Sequence, residues 1–524
     1  MSDSDAASSK AAARAVRLDA AWLRDAHDSV AEPAKHRAGG LTLPAYDRAA
    51  AQAAGGIVHL GVGAFHRAHQ AVAFDALLAK GHRGFAITGV SLRQLDVPEQ
   101  LNPQDGLYGV LRLDDDAEPA LHVVGAMGRV LHAPTEREAV IAAIADARTW
   151  LVTLTITEKG YGHRPADGQL DLGNAEIAAD LASPDEPRSA VGLIVTAMAR
   201  RHAAGLPPPV VLCCDNLPSN GRLLQGLVLD FAARTRPTLL PWLEAEGRFP
   251  CTMVDRIVPA TTDADRAAVR ERFGVDDHGL VKAEPFSQWV IEALDPRLAA
   301  LADAGVQLVD DVAPFELMKL RLLNGSHSLL AYLGYLGGHE HVADAMASPG
   351  MREAVTRLMR DEVTPTLAAP DGFDLPAYQH ALLSRFANRA LRHRTWQIAM
   401  DGSQKIPQRW LGTVAARRAA GARVPTLAAA LAAWVQYVSG RDLAGNPIDV
   451  RDPLASSLAK RANVDDAATA VRGVFAERAV FPEALAGDVA LTDDVTLALA
   501  TLRRDGVAGV LASLADPATS TARD

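Results

Sequence analysis

Short apolar runs that alternate with longer helical stretches constrain the fold of this 524-residue chain more than any other feature of its sequence. The runs read as strands rich in Val, Ile, Leu and Thr. They are IVHLGV (57–62), GFAITGVS (84–91), TWLVTLTIT (149–157) and VVLCCDN (210–216). Helical sequence such as SAVGLIVTAMARRHAAG lies between them. This order predicts a mainly parallel sheet with helices on both faces.

The character of the sequence changes near residue 285. Strand-like runs become scarce there, except for VQLVDDV (306–312), and long helical stretches such as EAVTRLMRDEV and TLAAALAAWVQYVSG take over. We therefore expect an α/β domain over residues 43–284 and a mostly α-helical domain over residues 285–524. Residues 1–42 are interpreted as a leader, and the sequence does not decide whether it is mobile or packs against the rest of the chain.

Charge and cysteine content exclude several classes of protein. The net charge of -10 argues against a nucleic-acid partner, because phosphate contacts need clustered Lys and Arg. The three cysteines, Cys213, Cys214 and Cys251, lack the spacing of a zinc site and favour a reducing cytoplasm. Neither a membrane helix nor a convincing signal peptide is evident, so we expect a cytoplasmic protein without a membrane partner.

A glycine-containing loop follows the first strand. Its order, a strand, then Gly61-Val62-Gly63-Ala64-Phe65-His66, then a helix, is typical of a Rossmann-type dinucleotide-binding unit. The first glycine would make the tight turn, and the second would let the backbone approach a pyrophosphate. His66 takes the place of the usual third glycine. An ordinary glycine turn between strand and helix is the alternative interpretation.

The end of the second strand bears on the choice between NAD and NADP. An acidic residue is expected there to bind the ribose, but the strand ends in GVSLRQLD, with Arg93 well before Asp96. Arg93 could accommodate a 2′-phosphate. These residues therefore leave the choice of nucleotide open.

The segment ELMKLRLLNGSHSLL (316–330) is apolar except for a few polar side chains at helical spacing. At about 100° per residue, Glu316, Lys319, Asn324 and His327 share one arc of the helix. A solvated face or satisfied core residues would explain this pattern without any function. A partly desolvated lysine beside other donors has a lowered pKa and can act as a general base on an alcohol. Asn324 and His327 could stabilise the developing alkoxide, and Glu316 could carry the proton onward.

These stretches together resemble the mannitol dehydrogenase family, the long-chain polyol-specific dehydrogenases. The matching segments are IVHLGVGAFHRAHQA, TITEKGY, CDNLPSNG, FPCTMVDRIVPATT, EPFSQWVIE, ELMKLRLLNGSHSLLAYLGYLGG and LRHRTWQIAMDGSQKIPQR. They span most of the chain after residue 43. The resemblance implies a Rossmann-type N-terminal domain, a helical C-terminal domain and an active site between them.

The resemblance also implies roles for individual residues. Lys319 would be the general base, and Asn216 and Asn324 would stabilise the oxyanion. His327 and Glu316 match the family's histidine and its proton-relaying glutamate, while Asp255 and Lys405 match polar positions of the substrate pocket. The cofactor is usually NAD, bound by the loop that here contains Gly61, Gly63, Ala64, Phe65 and His66. Catalysis in the family is independent of metal ions.

Details of the motifs favour a sugar-acid substrate. TEKGY places Lys159 where mannitol 2-dehydrogenases tend to have glycine, and FPCTMVDRIVP and NGSHS are similar to the fructuronate reductase (D-mannonate oxidoreductase) type. Basic side chains would favour a carboxylate, and Lys159, Arg394, Lys405 and Arg409 are the candidates. The segment from Gly89 to Ala120 and the extended N-terminus depart from that type. Mannitol 2-dehydrogenase, which interconverts D-mannitol and D-fructose, is therefore the alternative.

Two other classes of function compete with this interpretation. A catalytically silent dinucleotide-binding protein would have lost Lys319, Asn324 or His327, and all three are present. A zinc enzyme is disfavoured because the segment His339–His341 lacks HExxH spacing. We expect a small-molecule substrate and either a monomer or a small homo-oligomer, which the sequence does not decide.

Overall fold

The computed structural model describes residues 16–29, 40–115, 117–165, 167–370 and 372–515. The chain divides into two compact units, one ending at Val312 and the other beginning at Ala313. This division lies after the boundary predicted at residues 284 and 285. The reason is that two later strands, Gln288–Glu292 and Gln307–Val309, pair in one sheet with Thr252–Asp255 of the first unit.

The described residues of the first unit form four sheets. Its strands are β1 (Val16–Arg17), β2 (Leu41–Thr42), β3 (Gly56–Leu60), β4 (Ala86–Ser91), β5 (Tyr108–Asp114), β6 (Ala117–Val124), β7 (Met127–His132), β8 (Leu151–Leu154), β9 (Val210–Cys213), β10 (Thr252–Asp255), β11 (Val275–Asp276), β12 (Val281–Ala283), β13 (Gln288–Glu292) and β14 (Gln307–Val309). The largest sheet has the order β7-β4-β3-β8-β9, and all its pairs are parallel.

Helices cover both faces of this parallel sheet. The α-helices of the first unit are α1 (Ala20–Ser29), α2 (Arg48–Ala54), α3 (Ala64–Ala68), α4 (Gln70–Ala79), α5 (Asp96–Leu101), α6 (Ala133–Ala145), α7 (Ala175–Ala182), α8 (Ala190–Ala203), α9 (Asn220–Thr235), α10 (Leu240–Glu246) and α11 (Asp263–Phe273). Short 3-10 segments are Asn102–Gln104, Glu158–Tyr161, Pro237–Leu239 and Pro296–Ala304. The Rossmann-type fold class predicted from the sequence is confirmed.

Burial on both faces explains why β3 reads as a continuous apolar run. Ile57 belongs to the core on the side of α4, whereas Val58 and Leu60 belong to the core formed with α6 and α8. Successive side chains of a strand point to opposite faces, so a strand covered on both sides is apolar at almost every position. The polar residue of β3, His59, is buried and hydrogen-bonded to Oγ1 of Thr153 at 2.7 Å.

Smaller sheets, which the sequence did not predict, extend the first unit. They have the orders β12-β5-β6-β2, β10-β13-β14 and β1-β11. In the β1-β11 pair, the described part of the leader joins the unit, since Val16 and Arg17 align with Val275 and Asp276. Leu18 is fully buried beside this pair. Residues 1–15 and 30–39 of the predicted leader lie outside the described residues.

The second unit is built from helices. Its α-helices are α12 (Ala313–Met318), α13 (Gly325–Leu336), α14 (Val342–Ala347), α15 (Met351–Arg357), α16 (Leu375–Ala387), α17 (Thr395–Ala399), α18 (Gly402–Ile406), α19 (Gly412–Ala419), α20 (Pro425–Val438), α21 (Ala455–Ala462), α22 (Ala467–Phe475), α23 (Glu483–Ala486) and α24 (Val489–Ala515). Short 3-10 segments are Thr364–Thr366 and Arg389–Leu391. Three π-helical segments, Lys319–Asn324, Leu358–Val363 and Pro407–Leu411, interrupt longer helices.

Helix α20 is the core element of this unit. Its residues from Thr426 to Val438 are buried, because the helix packs against α13 on one side and α24 on another. Among the described residues, no helix combines the length and apolarity needed to cross a membrane.

The N-terminus of α20 is capped by a carboxylate from another element. Glu362, in the π segment Leu358–Val363, accepts the backbone N–H groups of Thr426 at 2.6 Å and Leu427 at 2.9 Å. Because Glu362 is buried, its pKa rises from the ordinary value of a glutamate to about 7. The ionised carboxylate therefore satisfies two donors but costs desolvation free energy.

This pKa predicts a pH-dependent stability. A carboxyl whose folded pKa lies above its unfolded pKa stabilises the fold fully below the unfolded value, and that contribution is lost as pH rises toward 7. We expect the unfolding free energy of the wild type, relative to that of Glu362→Gln, to fall by up to about 3 kcal/mol between pH 4.5 and pH 7. The difference in melting temperature between the two chains should shrink accordingly. Thermal melts of both chains at several pH values measure it. The exposed Glu483→Gln is the control, and a constant difference across this range contradicts the assignment.

Candidate active site

A cavity of about 300 Å³ lies at the carboxyl end of the five-stranded sheet. Gly61 and Gly63 form one wall, and the segment 155–157, which follows β8, forms another. Strands β3 and β8 are neighbours in the sheet although β4 and β7 separate them in the chain. Their loops therefore diverge at this point, which is where ligands bind in open α/β sheets. We call this space the glycine-loop cavity.

Gly61 is required by the fold itself. Its φ is +92°, and a Cβ there would lie 2.3 Å from the carbonyl oxygen of Thr155. Backbone from the neighbouring strand cannot move out of the way, so any side chain at position 61 strains the sheet edge.

Gly63 is different, because the protein leaves room for a side chain there. Its φ is −84° and its ψ 179°, an extended conformation open to any residue. A Cβ would meet only the carbonyl oxygen of Gly61, at 3.9 Å. Gly63 is exposed and lines the cavity. Close backbone approach by a ligand such as a dinucleotide gives a reason for glycine at this position.

The structure places His66 away from the cavity. Its ring is fully buried beneath the loop and stacks on His59, with ring centroids 3.3 Å apart. Burial lowers the pKa of His59 to about 3 and that of His66 well below its usual value, so both rings are neutral. The His66 side chain therefore does not line the cavity, and its assignment as a cofactor-binding residue stays a prediction.

His59 instead ties the two walls of the cavity together. Its Nε2 lies 3.1 Å from the carbonyl oxygen of Gly61 and 3.0 Å from Oγ1 of Thr155. Of the other predicted loop residues, Ala64 begins helix α3 and Phe65 stacks on His69 with centroids 5.0 Å apart. Neither of these two side chains lines the cavity.

A half-buried carboxylate, that of Asp215, which the sequence analysis did not single out, holds the wall after β8. Asp215 accepts the backbone N–H groups of Ile156 at 2.7 Å and Thr157 at 3.2 Å, and the hydroxyl of Tyr161 at 2.7 Å. Thr157 has a positive φ of 63°, so these bonds hold a strained residue at the cavity. Burial raises the pKa of Asp215 to about 6. Its presence in the CDN motif was the available signal.

Arg93 forms an ion pair with Glu176 in the cavity. It lines the same space as the glycines, and its Nη2 is 3.2 Å from Oε1 of Glu176. Lys159 is exposed in the 3-10 turn Glu158–Tyr161 and does not line the cavity.

Two further candidates of the first unit lie near the ends of neighbouring elements. Asn216 is exposed in the turn after β9, and Asp255 is buried as the last residue of β10. Asn220 joins these elements, because its side chain donates to the carbonyl oxygens of Asp215 and Thr252 at 3.1 and 2.9 Å. The turn that carries Asn216 is therefore fixed against the strand that carries Asp255.

In the second unit, the predicted catalytic helix is not a regular α-helix. Glu316 lies in α12, Lys319 and Asn324 are the first and last residues of a π-helical segment, and His327 lies in α13. Lys319 and His327 are each 7% exposed, and Asn324 and Glu316 are half-buried. π-Helical turns are rare and occur frequently at functional sites.

Side chains from a second π-helical segment hold this one in place. Arg409 donates to the carbonyl oxygen of Asn324 at 3.3 Å and to Oγ of Ser328 at 2.9 Å. The indole of Trp410 donates to the carbonyl oxygen of Gly325 at 2.9 Å. These bonds satisfy carbonyl groups at the point where the hydrogen-bond ladder changes from π to α.

His327 offers a buried, unpartnered ring nitrogen. Its Nε2 has no hydrogen-bond partner among the described residues, while its ring packs against Phe386 and His393 with centroids 4.7 and 5.5 Å away. Burial lowers its pKa well below the usual value, and the positive charges of Arg409, Arg385 and Lys319 lower it further. A neutral imidazole with a spare nitrogen can hydrogen-bond a ligand oxygen.

The basic substrate candidates of this unit separate into two groups. The ammonium of Lys405 donates to the carbonyl oxygen of Met400 at 2.6 Å. The pKa of His393 is lowered to about 4, first by the burial of its ring and second by the positive charge of Lys405. Arg394, in contrast, is exposed and lies 3.3 Å from Glu340. Arg385 and His393, which the sequence analysis did not name, lie beside His327 as well.

Metal-ligating side chains do not converge anywhere in the described part of the chain. No group of three or more His, Cys, Asp or Glu residues there could hold a metal ion. The metal independence that the resemblance implies stays a prediction.

Both halves of the chain match family models. The model of the mannitol dehydrogenase Rossmann domain matches residues 55–300, and that of the mannitol dehydrogenase C-terminal domain matches residues 311–503. These ranges correspond to the two units of the structure.

Individual proteins are similar over almost the whole chain. The uncharacterized oxidoreductase YdfI of Escherichia coli (strain K12) is 44% identical over 480 residues, 90% of this chain and 97% of that protein. The D-mannonate oxidoreductase of the same strain is 43% identical over 465 residues, 87% of this chain and 95% of that protein. A solved ternary complex of Pseudomonas fluorescens mannitol 2-dehydrogenase with NAD and D-mannitol superposes with a TM-score of 0.81 at 36% identity, covering 91% and 96% of the two chains.

Alanine substitutions at the two glycines should affect different properties, NADH binding at position 63 and stability at position 61. Gly63→Ala should keep or slightly raise the melting temperature, because its backbone suits alanine, yet should weaken NADH binding about tenfold or more by blocking close approach. Gly61→Ala should lose about 2 kcal/mol or more of unfolding free energy. Thermal melts and fluorescence titration with NADH separate these effects. Unchanged NADH affinity in Gly63→Ala would show that the ligand does not approach this loop.

Proposed function

The chain belongs to the mannitol dehydrogenase family, and from that premise we propose that it is an NAD-dependent oxidoreductase for a linear sugar acid, with D-mannonate and D-fructuronate as its substrate pair. Family members are oxidoreductases that act on CH–OH groups. The reaction interconverts a secondary alcohol and its ketone, and the nicotinamide supplies the hydride chemistry.

The charge around the two histidines of the second unit carries the choice of a sugar acid. Besides burial, the positive charges of Lys319, Arg385 and Arg409 lower the pKa of His327, and the charge of Lys405 lowers that of His393. A substrate carboxylate bound beside these basic side chains would accept charge-assisted hydrogen bonds from them. The higher identity to the D-mannonate oxidoreductase than to the mannitol 2-dehydrogenase supports the same choice.

The glycine-loop cavity supports the assignment of the cofactor. It lies at the switch point of the parallel sheet, and the space beside Gly63 suits a close approach by the pyrophosphate of NAD. Bound there, NAD would accept the hydride from the substrate carbon. Gly61 and Gly63 would contact the dinucleotide through backbone atoms, so a side chain introduced at position 63 would obstruct the ligand, whereas one at position 61 would also strain the protein.

The lysine helix provides the acid–base groups. Lys319 takes the proton of the substrate hydroxyl, and its burial limits competition from water. The amide of Asn324 and Nε2 of His327 donate hydrogen bonds to the oxygen as negative charge develops on it. Glu316, half-buried at the preceding turn, passes the proton toward solvent. The roles of Asn216, Asp255, Lys159 and Arg394 stay predictions.

Removing the lysine amine tests the mechanism. Lys319→Ala should lower kcat by about 10²- to 10⁴-fold, the usual contribution of a positioned general base. NADH binding should survive, since the nucleotide is assigned to the first unit. Steady-state rates and fluorescence titration measure the two properties, with the exposed Lys460→Ala as the matched control. Near-normal turnover in Lys319→Ala would refute the assignment.

A side-by-side substrate panel tests the sugar-acid proposal. NADH oxidation with fructuronate, tagaturonate and fructose should give a kcat/KM for fructuronate at least about tenfold above that for fructose, the effect of one charge-assisted contact. If fructose has the highest kcat/KM, the chain is a mannitol 2-dehydrogenase in activity and the proposal is wrong. If tagaturonate leads, the sugar-acid class stands but the preferred isomer changes.

A further inference from the structure

Two histidine rings of the second unit lie edge to face, and each has a buried ring nitrogen without a partner. The rings of His327 and His393 have centroids 5.5 Å apart and an interplanar angle of 84°. Nε2 of His327 and Nδ1 of His393 make no hydrogen bond within the part of the chain that the structure describes. An unpaired polar atom in a protein interior costs free energy, so two of them on adjacent rings indicate a ligand with two polar atoms.

The backbone around His393 is held by another segment of the unit. The carbonyl oxygen of His393 accepts the N–H of Val342 at 2.9 Å. Arg394 pairs with His341 in an isolated β-bridge. The residue before the ring, Arg392, has a positive φ of 48°, a conformation that persists only where the surrounding structure imposes it. The position of the His393 ring is therefore set by the fold.

The chemistry of the two nitrogens favours hydroxyl groups as their partners. Burial of each ring lowers the pKa of His393 to about 4 and that of His327 well below its usual value. A neutral imidazole has one N–H and one acceptor nitrogen, and its tautomer decides which nitrogen is which. A hydroxyl group both donates and accepts, so it can pair with the open nitrogen in either tautomer. A carboxylate can pair only with an N–H.

We propose that Nδ1 of His393 binds the substrate hydroxyl on a carbon next to the reacting carbon, an inference that rests on the proposed function and on the role given there to His327. Linear polyols and sugar acids carry oxygens on successive carbons. With the reacting oxygen on His327, the adjacent ring takes the neighbouring oxygen. This second contact fixes the rotation of the carbon chain about the reacting centre.

The contact makes His393 a specificity-determining residue. A ketone that lacks the neighbouring hydroxyl leaves the buried nitrogen unpaired, and a site built to hydrogen-bond a hydroxyl discriminates strongly against such a substrate. The basic side chains Arg385, Lys405 and Arg409 suit the carboxylate, whereas His393 recognises a part of the substrate that polyols and sugar acids share.

A cycle that combines a variant with a change of substrate tests this contact. 1-Deoxyfructuronate and 3-deoxyfructuronate each lack one of the two hydroxyls beside the ketone. With the wild type, we expect kcat/KM for one of them to lie about tenfold or more below that for fructuronate. His393→Phe keeps an aromatic ring beside His327, and the same change of substrate should then lower kcat/KM by less than about twofold.

Two further variants separate binding from structure. His393→Asn, whose amide lies near the place of Nδ1 and both donates and accepts, should keep most of the wild-type discrimination. His380→Phe makes the same exchange at an exposed position of α16 and should leave the discrimination unchanged. Thermal melts and titration with NADH establish that each variant is folded.

The inference is overturned if the wild type reduces both deoxy compounds as well as it reduces fructuronate. It is also overturned if His393→Phe lowers kcat/KM for all three compounds by the same factor, because a ring with only a structural role gives that result. Tagaturonate and fructose carry the same two hydroxyls, so the cycle is run with the deoxy analogues of whichever ketone the enzyme prefers. A wrong substrate in the proposed function is thereby distinguished from a wrong role for His393.

Discussion

The backbone contact between Gly61 and Thr155 is the constraint on which the glycine-loop cavity depends. The two residues follow neighbouring parallel strands, and a Cβ at position 61 would lie 2.3 Å from the Thr155 carbonyl oxygen. His59 bridges the same two residues through its ring nitrogen, and Asp215 holds the backbone just beyond Thr155. The walls of the cavity are therefore set by hydrogen bonds within the protein. A ligand that enters such a preorganised site loses little free energy to ordering it.

The second unit reaches a comparable result with a different device. Its lysine helix contains a π-helical segment that begins at Lys319 and ends at Asn324, and Arg409 and Trp410 hold the carbonyl groups at its end. Burial keeps His327 neutral and leaves its Nε2 available, which costs free energy unless a ligand supplies the partner. The proposed acid–base groups and the unpartnered nitrogen thus lie on one fixed helical segment. The unpartnered Nε2 of His327 thus lowers the stability of the fold at the place where it can bind a ligand.

Hydrophobic periodicity and the glycine loop predicted the Rossmann-type fold and the helical second domain, and the resemblance carried by the longer motifs identified the family. The features that were missed depend on contacts that no local pattern carries. His66 is buried because a tertiary stack with His59 takes its ring, and Glu176 meets Arg93 across 83 residues of sequence. The angles predicted for the lysine helix assumed α-helical spacing throughout. The structure instead has a π turn there, which is held by side chains from a separate segment, residues 407–411. Helical propensity does not reveal such a turn.

Chemical rescue of Lys319→Ala with small amines tests most directly whether this lysine acts as a base. Turnover of the variant should rise in proportion to the concentration of unprotonated methylamine, because a free amine can accept the proton of the substrate hydroxyl. Tetramethylammonium, which has the charge but no proton-accepting nitrogen, should have no effect. Equal rescue by both compounds, or rescue by neither while the variant still binds NADH and the sugar acid, would contradict a proton-accepting role for Lys319.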